Sequence, residues 1–248
     1  MRYFVQFAYD GTGYHGSQSQ PNGVTVQEVM EQAFATILRT PIPLTFAGRT
    51  DAGVHAECMV AHFDTAQAVP DNLAPRLNNL LPSSIAIRSV TPVKPDAHAR
   101  FDALSRTYRY RITTRKDPFL AATHAHVADG LDFEAMNSAA QLLLGRQDFT
   151  SFCRVHTDAK TMTCDVRQAH WTIGSNHTAT FTITADRFLR NMVRAVVGTL
   201  FEVGREHLTH EQFAAVIAAH DRCRAGHSAP PEGLSLVEIT YPETIFNS

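Results

Sequence analysis

The chain has 248 residues, 44% of them hydrophobic, and 22 Lys and Arg against 24 Asp and Glu leave a formal net charge of −2. These figures exclude an intrinsically disordered chain, a histone-like polycation and a collagenous repeat, and the length suits one or two domains with a sizeable core. Cys58, Cys153, Cys164 and Cys223 lie far apart with no C-x-x-C pair, a spacing of free thiols in a reducing compartment rather than of a disulfide scaffold or zinc ribbon.

Residues 1–9 alternate, with Tyr3, Val5, Phe7 and Tyr9 on one side, which predicts a half-buried strand. No apolar signal core precedes it and no run is long enough to span a bilayer, so the reading is a soluble cytoplasmic protein. After a turn at Asp10-Gly11-Thr12-Gly13, Thr25-Val26-Gln27-Glu28 forms a capping box, and Val26, Val29, Met30, Ala33, Phe34, Ile37 and Leu38 follow at helical spacing. Pro41 and Pro43 end that helix; Leu44–Ala47 reads as a short strand, 48–53 as a loop and Met59–Phe63 as a strand. A helix over 71–81 and an extended stretch over 85–90 close a first half, taken as residues 1–97.

The second half, 98–248, opens with a strand over 107–113 that sets Tyr108, Tyr110 and Ile112 against Arg109, Arg111 and Thr113. A helix over 132–144 ends at Gly145, and 166–173 pairs with 177–185 as a hairpin. The spacing predicts a helix starting near Asp186, with Arg187, Arg190 and Arg194 in one stripe and Gly198 one turn further, where a bulky partner can approach. Thr209-His210-Glu211-Gln212 is a second capping box, and Leu234–Ile239 reads as the last strand. This order predicts an α+β fold of two similar α/β halves with mostly antiparallel sheets. No Gly-rich phosphate loop follows a strand, so no nucleotide cofactor is expected.

The charge is unevenly placed. Nineteen of the 22 basic residues are Arg; residues 100–116 carry +5 and 187–205 carry +3, which leaves −10 on the rest of the chain. A polyanion-binding face on an acidic body explains this asymmetry, and so do solvated strand and helix faces. Within Gly48-Arg49-Thr50-Asp51-Ala52-Gly53-Val54-His55, one carboxylate sits on a tight loop after a buried strand, with a cation two residues before it. An Asp placed so is a candidate nucleophile or base, although Asp-Ala-Gly is also an ordinary turn. His124-Ala125-His126 has strand spacing but no acidic or Cys partner nearby, so no metal site is expected.

The string GRTDAGVH closely resembles the signature of the TruA family of tRNA pseudouridine synthases. Further segments resemble that family in the same order: Tyr9–Gly16, Thr25–Glu28, His98–Phe101, Ser105–Tyr110, Asp148–Phe152, Phe188–Gly198 and Glu232-Gly233-Leu234. The resemblance implies a pseudouridine synthase fold with an RNA-binding cleft between its halves, a homodimer, and modification of uridines 38, 39 and 40 in the tRNA anticodon stem-loop. It makes Asp51 the catalytic residue and Tyr108, Arg49, Arg194 and Leu234 the substrate-binding set, while the arginine stripe and the basic face of the 107–113 strand supply Arg187, Arg190, Arg109 and Arg111 as RNA-backbone candidates. One departure stands out: where the family often has Trp, this chain has Ser17 within Gly16-Ser17-Gln18-Ser19-Gln20.

The chemistry implied is economical. The bond from N1 to C1′ breaks, the uracil turns, C5 joins C1′ and the C5 proton leaves, with no redox change and no cofactor. Glycosidic cleavage builds oxocarbenium character that a carboxylate stabilises or traps. Residue types leave open whether Asp51 attacks C1′, attacks C6 or works through a glycal. The target base must leave its stack, which suits an aromatic such as Tyr108 under it and Arg49 in the vacancy. Tyr108 also suits core packing, and Arg194 either supports Asp51 or contacts phosphate. The rival from another class is a tRNA-binding or folding module without turnover; a closer one is the same chemistry at other RNA uridines.

Overall fold

The computed structural model describes residues 1–154 and 161–246. Its chain divides into two compact units, Met1–Leu104 joined by the residues from Ser235 onward, and Ser105–Leu234. Each is a mostly antiparallel sheet with helices, so the α+β class expected from the order of elements holds.

In the first unit, β1 (Arg2–Tyr9) lies between β4 (Ile85–Val93) and β3 (His55–Asp64), antiparallel to both. The two-residue β2 (Thr45–Phe46) pairs with β3. The last strand, β10 (Leu234–Thr240), returns to this unit and runs parallel to β3, with Ser235 opposite His55 and Leu236 opposite Ala56. Val5 and Phe7 are fully buried. Phe4, on the opposite face of the same strand, is buried as well, because Tyr241 and Phe246 of the C-terminal stretch close edge-on over it at 5.1 and 6.4 Å. The strand is therefore covered on both faces here, not half-buried.

Helix α1 (Val26–Leu38) begins where the capping box places it: the Thr25 hydroxyl accepts the Glu28 N–H and Glu28 accepts the Thr25 N–H at 3.0 Å. Val26, Met30, Ala33 and Phe34 face inward, and Arg39 ends the helix in a left-handed conformation. Helix α2 (Leu73–Leu80) packs on α1 and β4.

The second unit holds β5 (Ser105–Thr113), the short β6 (Ala125–His126) paired with it, α3 (Phe133–Gln141), β7 (Gly145–Asp148), β8 (Thr163–Ile173), β9 (Thr178–Ala185), α4 (Met192–Gly204) and α5 (His210–Ala218). Its main strands are ordered β5-β9-β8-β7, each antiparallel to the next, while β6 runs parallel to β5, and α3 packs against β8 and α4. Helix α3 starts at Phe133 because Asp132 is the cap, accepting the N–H groups of Glu134 and Ala135, and it stops at Gln141, short of the expected 144, because the N–H groups of Leu142, Leu143 and Leu144 bond to carbonyls three residues back and tighten the chain into turns.

The start of α4 corrects the sequence reading. Asn191 has φ 66°, which no α-helical residue adopts, so the helix starts at Met192 and not near Asp186. The Asp186 carboxylate instead accepts the N–H groups of Asp165 and Arg187. Arg187 and Arg190 thus lie in a loop, and the stripe they were expected to share with Arg194 does not exist.

One buried histidine makes the first unit acid-sensitive. His62 on β3 is 6% exposed, and its Nδ1 accepts the Ala99 N–H at 3.2 Å, a role that needs a neutral ring. Burial, then the positive neighbours Arg2 and His98, push its pKa down to about 4. An unfolded chain protonates this ring near 6.5, so between those values the unfolded state binds more protons and stability falls as the pH drops. Urea unfolding at pH 7 and pH 4.5 is expected to show the wild type losing about 2–3 kcal/mol more than His62→Gln across that interval.

Candidate active site

The loop that carries Asp51 is anchored from beneath. Thr50 is buried; its N–H donates to the Ser17 hydroxyl at 2.9 Å, its carbonyl accepts the Ser17 N–H at 3.3 Å, and its hydroxyl lies 2.8 Å from that of Tyr9. The Val54 N–H donates to the Asp51 carbonyl, closing a turn over Ala52 and Gly53, the latter at φ 76°. Glycine is required at two neighbours: a Cβ on Gly16 would lie 2.9 Å from the Thr50 carbonyl oxygen, and one on Gly11 2.1 Å from that of Val54. Below the turn, His55 Nδ1 accepts the Gly11 N–H at 3.0 Å and lies 3.1 Å from Asp10 Oδ1. Burial of Asp10 is outweighed by its hydrogen bonds from Thr12 and by His55, and its carboxyl is held below the usual range.

This framework leaves Asp51 half-buried and Arg49 exposed. Arg49 Nε donates to Gln18 Oε1 at 2.7 Å, so the cation of the signature is held by the residue after Ser17.

The other residues singled out in the sequence belong to the second unit. Tyr108 on β5 is partly exposed and meets the Phe188 ring edge-on at 5.1 Å. Two residues along the same strand face, Tyr110 is fully buried; its hydroxyl donates to the Pro230 carbonyl at 2.9 Å, and burial pushes its pKa up. Arg194, in the first turn of α4, donates from Nε to the Ala229 carbonyl at 2.7 Å, while the Ala229 N–H donates back to the Arg194 carbonyl at 2.9 Å. Leu234 is 5% exposed and follows a 3-10 turn, Pro231–Gly233, whose Gly233 packs against Tyr110 and the Arg111 carbonyl. Tyr110 is therefore the post around which Arg194 and Leu234 are arranged. On the opposite face of β5, Arg109 is exposed and Arg111 partly so; of the loop arginines, Arg190 is exposed and Arg187 partly so.

Sequence reasoning missed Ser17, Thr50 and Tyr110 as supports. It read Gly11 only as part of a turn, and nothing local named the backbone that Gly11 and Gly16 approach. It also left the partner of Gly198 open: a Cβ there would lie 1.7 Å from the His227 carbonyl oxygen, so the approaching group is this chain's own backbone. Gly226 donates its N–H to the Thr199 hydroxyl at the same crossing. Among the described residues, no group of three or more His, Cys, Asp or Glu could hold a metal, and no helix is long and apolar enough to cross a membrane.

A family profile described as tRNA pseudouridine synthase matches residues 6–102 and 139–242. The chain belongs to that family. It is an isomerase of the pseudouridine synthase class. Relatives named tRNA pseudouridine synthase A include one from Parabacteroides distasonis, 54% identical over 99% of this chain and 98% of its own, and one from Bacteroides thetaiotaomicron, 55% identical over 100% and 93%. A more distant one, from Geobacter sulfurreducens, is 42% identical over 94% and 96%. The synthase profile spans the Asp51 loop, Arg194 and Leu234; Tyr108, Arg109 and Arg111 fall between its two matched stretches.

The backbone crossing at Gly198 yields a direct test of how this synthase holds Arg194. Gly198→Ala would force the 226–229 segment off α4, at a cost of about 3 kcal/mol or more for a clash with backbone in a packed interior. Thermal denaturation is expected to show a lowered Tm, with turnover reduced because Ala229 moves with the segment.

Proposed function

We propose that this protein isomerises uridine to pseudouridine in the anticodon stem-loop of tRNA, at positions 38, 39 and 40, with Asp51 as the catalytic nucleophile. The observation that carries the reading is the Asp51 loop: a signature carboxylate, in a chain of this family, on a turn whose preceding residue is gripped by buried hydrogen bonds on both sides. Such a grip holds a carboxylate at fixed depth against a sugar carbon that develops positive charge. Arg49 stands exposed on the same loop, where a guanidinium can fill the space left by an extruded base. Tyr108, braced by Phe188, offers a ring face for the uracil, and Leu234 an apolar contact. Arg194 is tethered through Nε to the Ala229 carbonyl, and a guanidinium held in this way is a planar fork suited to a carboxylate or phosphate.

A chain with net charge −2 needs local positive patches to hold a polyanion, and Arg109, Arg111, Arg187 and Arg190 are the residues we assign to the RNA backbone. A homodimer acting in the cytoplasm is part of the proposal; the homodimer rests on the family resemblance and the reducing compartment on the wide spacing of the four cysteines.

The deciding experiment is tritium release from a tRNA transcript carrying uridine labelled at C5. Asp51→Asn is expected to lower release by at least about a thousandfold while tRNA affinity changes little. Equal turnover by the variant would overturn the nucleophile, and binding without release by the wild type would favour a non-catalytic tRNA-binding module or a different target uridine.

Arg109→Ala and Arg190→Ala are each expected to weaken tRNA binding and to reduce the slope of log K against log salt by about one unit. Slopes equal to that of the wild type would mean that these side chains face only solvent.

A further inference from the structure

We propose that Ser17 is a positioning residue for Asp51, acting through Thr50. The proposal rests on the reading of Asp51 as the catalytic carboxylate and adds the element that sets where that carboxylate stands. Ser17 is fully buried and uses three groups at once. Its hydroxyl accepts the Thr50 N–H at 2.9 Å, its N–H donates to the Thr50 carbonyl at 3.3 Å, and its own carbonyl accepts the Gln27 N–H at 3.0 Å. The neighbouring Gly16 carbonyl accepts the Val26 N–H.

The first residues of α1 have N–H groups with no partner inside the helix. Here two of them seize the carbonyls of Gly16 and Ser17, so this dipeptide is fixed to a rigid element. The Ser17 side chain passes that fixity across to Thr50, the residue directly before Asp51. Gln18 continues the pairing by accepting from Arg49, so residues 17 and 18 face 50 and 49 in reversed order. Thr50 is 4% exposed, and without the Ser17 hydroxyl its N–H would be left buried and unpaired unless the loop shifted toward water. A shift of that kind at the residue before a nucleophile moves the carboxylate away from its in-line position.

The device needs a small side chain that can accept a hydrogen bond at this place. An indole donates only through Nε1 and cannot accept the Thr50 N–H, so a Trp at this position would have to support the loop in another way.

The test is single-turnover tritium release with enzyme in excess over C5-labelled tRNA transcript, together with tRNA binding and thermal denaturation. Ser17→Ala is expected to slow release at least about tenfold with tRNA affinity within about threefold of the wild type. Ser17→Cys, which keeps the shape but accepts a hydrogen bond weakly, is expected to fall between, and carries the same comparison if Ser17→Ala does not fold. Leu77→Ala, in the buried face of α2, serves as the stability control: it is expected to lower Tm by at least as much while leaving the single-turnover rate within about twofold. A Ser17→Ala rate within about twofold of the wild type, a loss no greater than that of Leu77→Ala, or a loss confined to tRNA affinity would each overturn the positioning role. Asp51→Asn separates the two levels: if it is inactive and Ser17→Ala is not impaired, only the role of Ser17 fails, whereas turnover by Asp51→Asn removes the catalytic carboxylate and the proposal with it.

Discussion

A backbone amide buried away from water must find a partner, and at Thr50 that requirement organises the whole neighbourhood of Asp51. Ser17 supplies an acceptor for its N–H and a donor for its carbonyl, and Tyr9 meets its hydroxyl. Ser17 can do so only because α1 presents free N–H groups at Val26 and Gln27, and α1 starts there because Thr25 and Glu28 cap each other. A local capping box thus leads, through residues 16 and 17, to the placement of the Asp51 carboxylate. Gly11 and Gly16 are part of the same construction, since a side chain on either would displace the backbone that it touches.

The second unit uses the same principle with different parts. Arg194 and Ala229 exchange hydrogen bonds, and the segment before Ala229 crosses α4 where Gly198 and Gly226 let backbone approach backbone. Tyr110, buried and bonded to the Pro230 carbonyl, fixes the following turn and so the position of Leu234. Arg49 and Asp51 stand on a loop, whereas Tyr108, Arg194 and Leu234 stand on β5, on the first turn of α4 and at the start of β10, and in both units main-chain hydrogen bonds make the surrounding segments rigid. This rigidity suits a reaction that needs no redox partner, because placement and electrostatics then supply most of the acceleration.

Much of this was legible in the chain itself. Both capping boxes, the alternation of β1 and β5, the hairpin of β8 and β9 and the loop between Gly48 and Gly53 follow from spacing alone. The start of α4 did not, because apolar residues at 189, 192, 193 and 196 keep helical spacing across a residue whose backbone is left-handed. Periodicity reports which side chains share a face; it does not report the φ of an asparagine that breaks the helix. The burial of Phe4 was equally hidden, since its cover comes from Tyr241 and Phe246 at the other end of the chain.

The sequence by itself determined the α+β class and the family through GRTDAGVH, and it singled out Asp51 as the candidate carboxylate, because these depend on residue type and on neighbours a few positions away. Only the tertiary structure decided that Ser17 holds Thr50, that Tyr110 supports the Arg194 and Leu234 region, and that β10 returns to lie beside His55. Those relations join residues tens to more than a hundred positions apart, such as 33 between Ser17 and Thr50 and 120 between Tyr110 and Pro230. They arise when buried donors and acceptors find one another as the core closes, and no repeat or spacing along the chain encodes which partner each will meet.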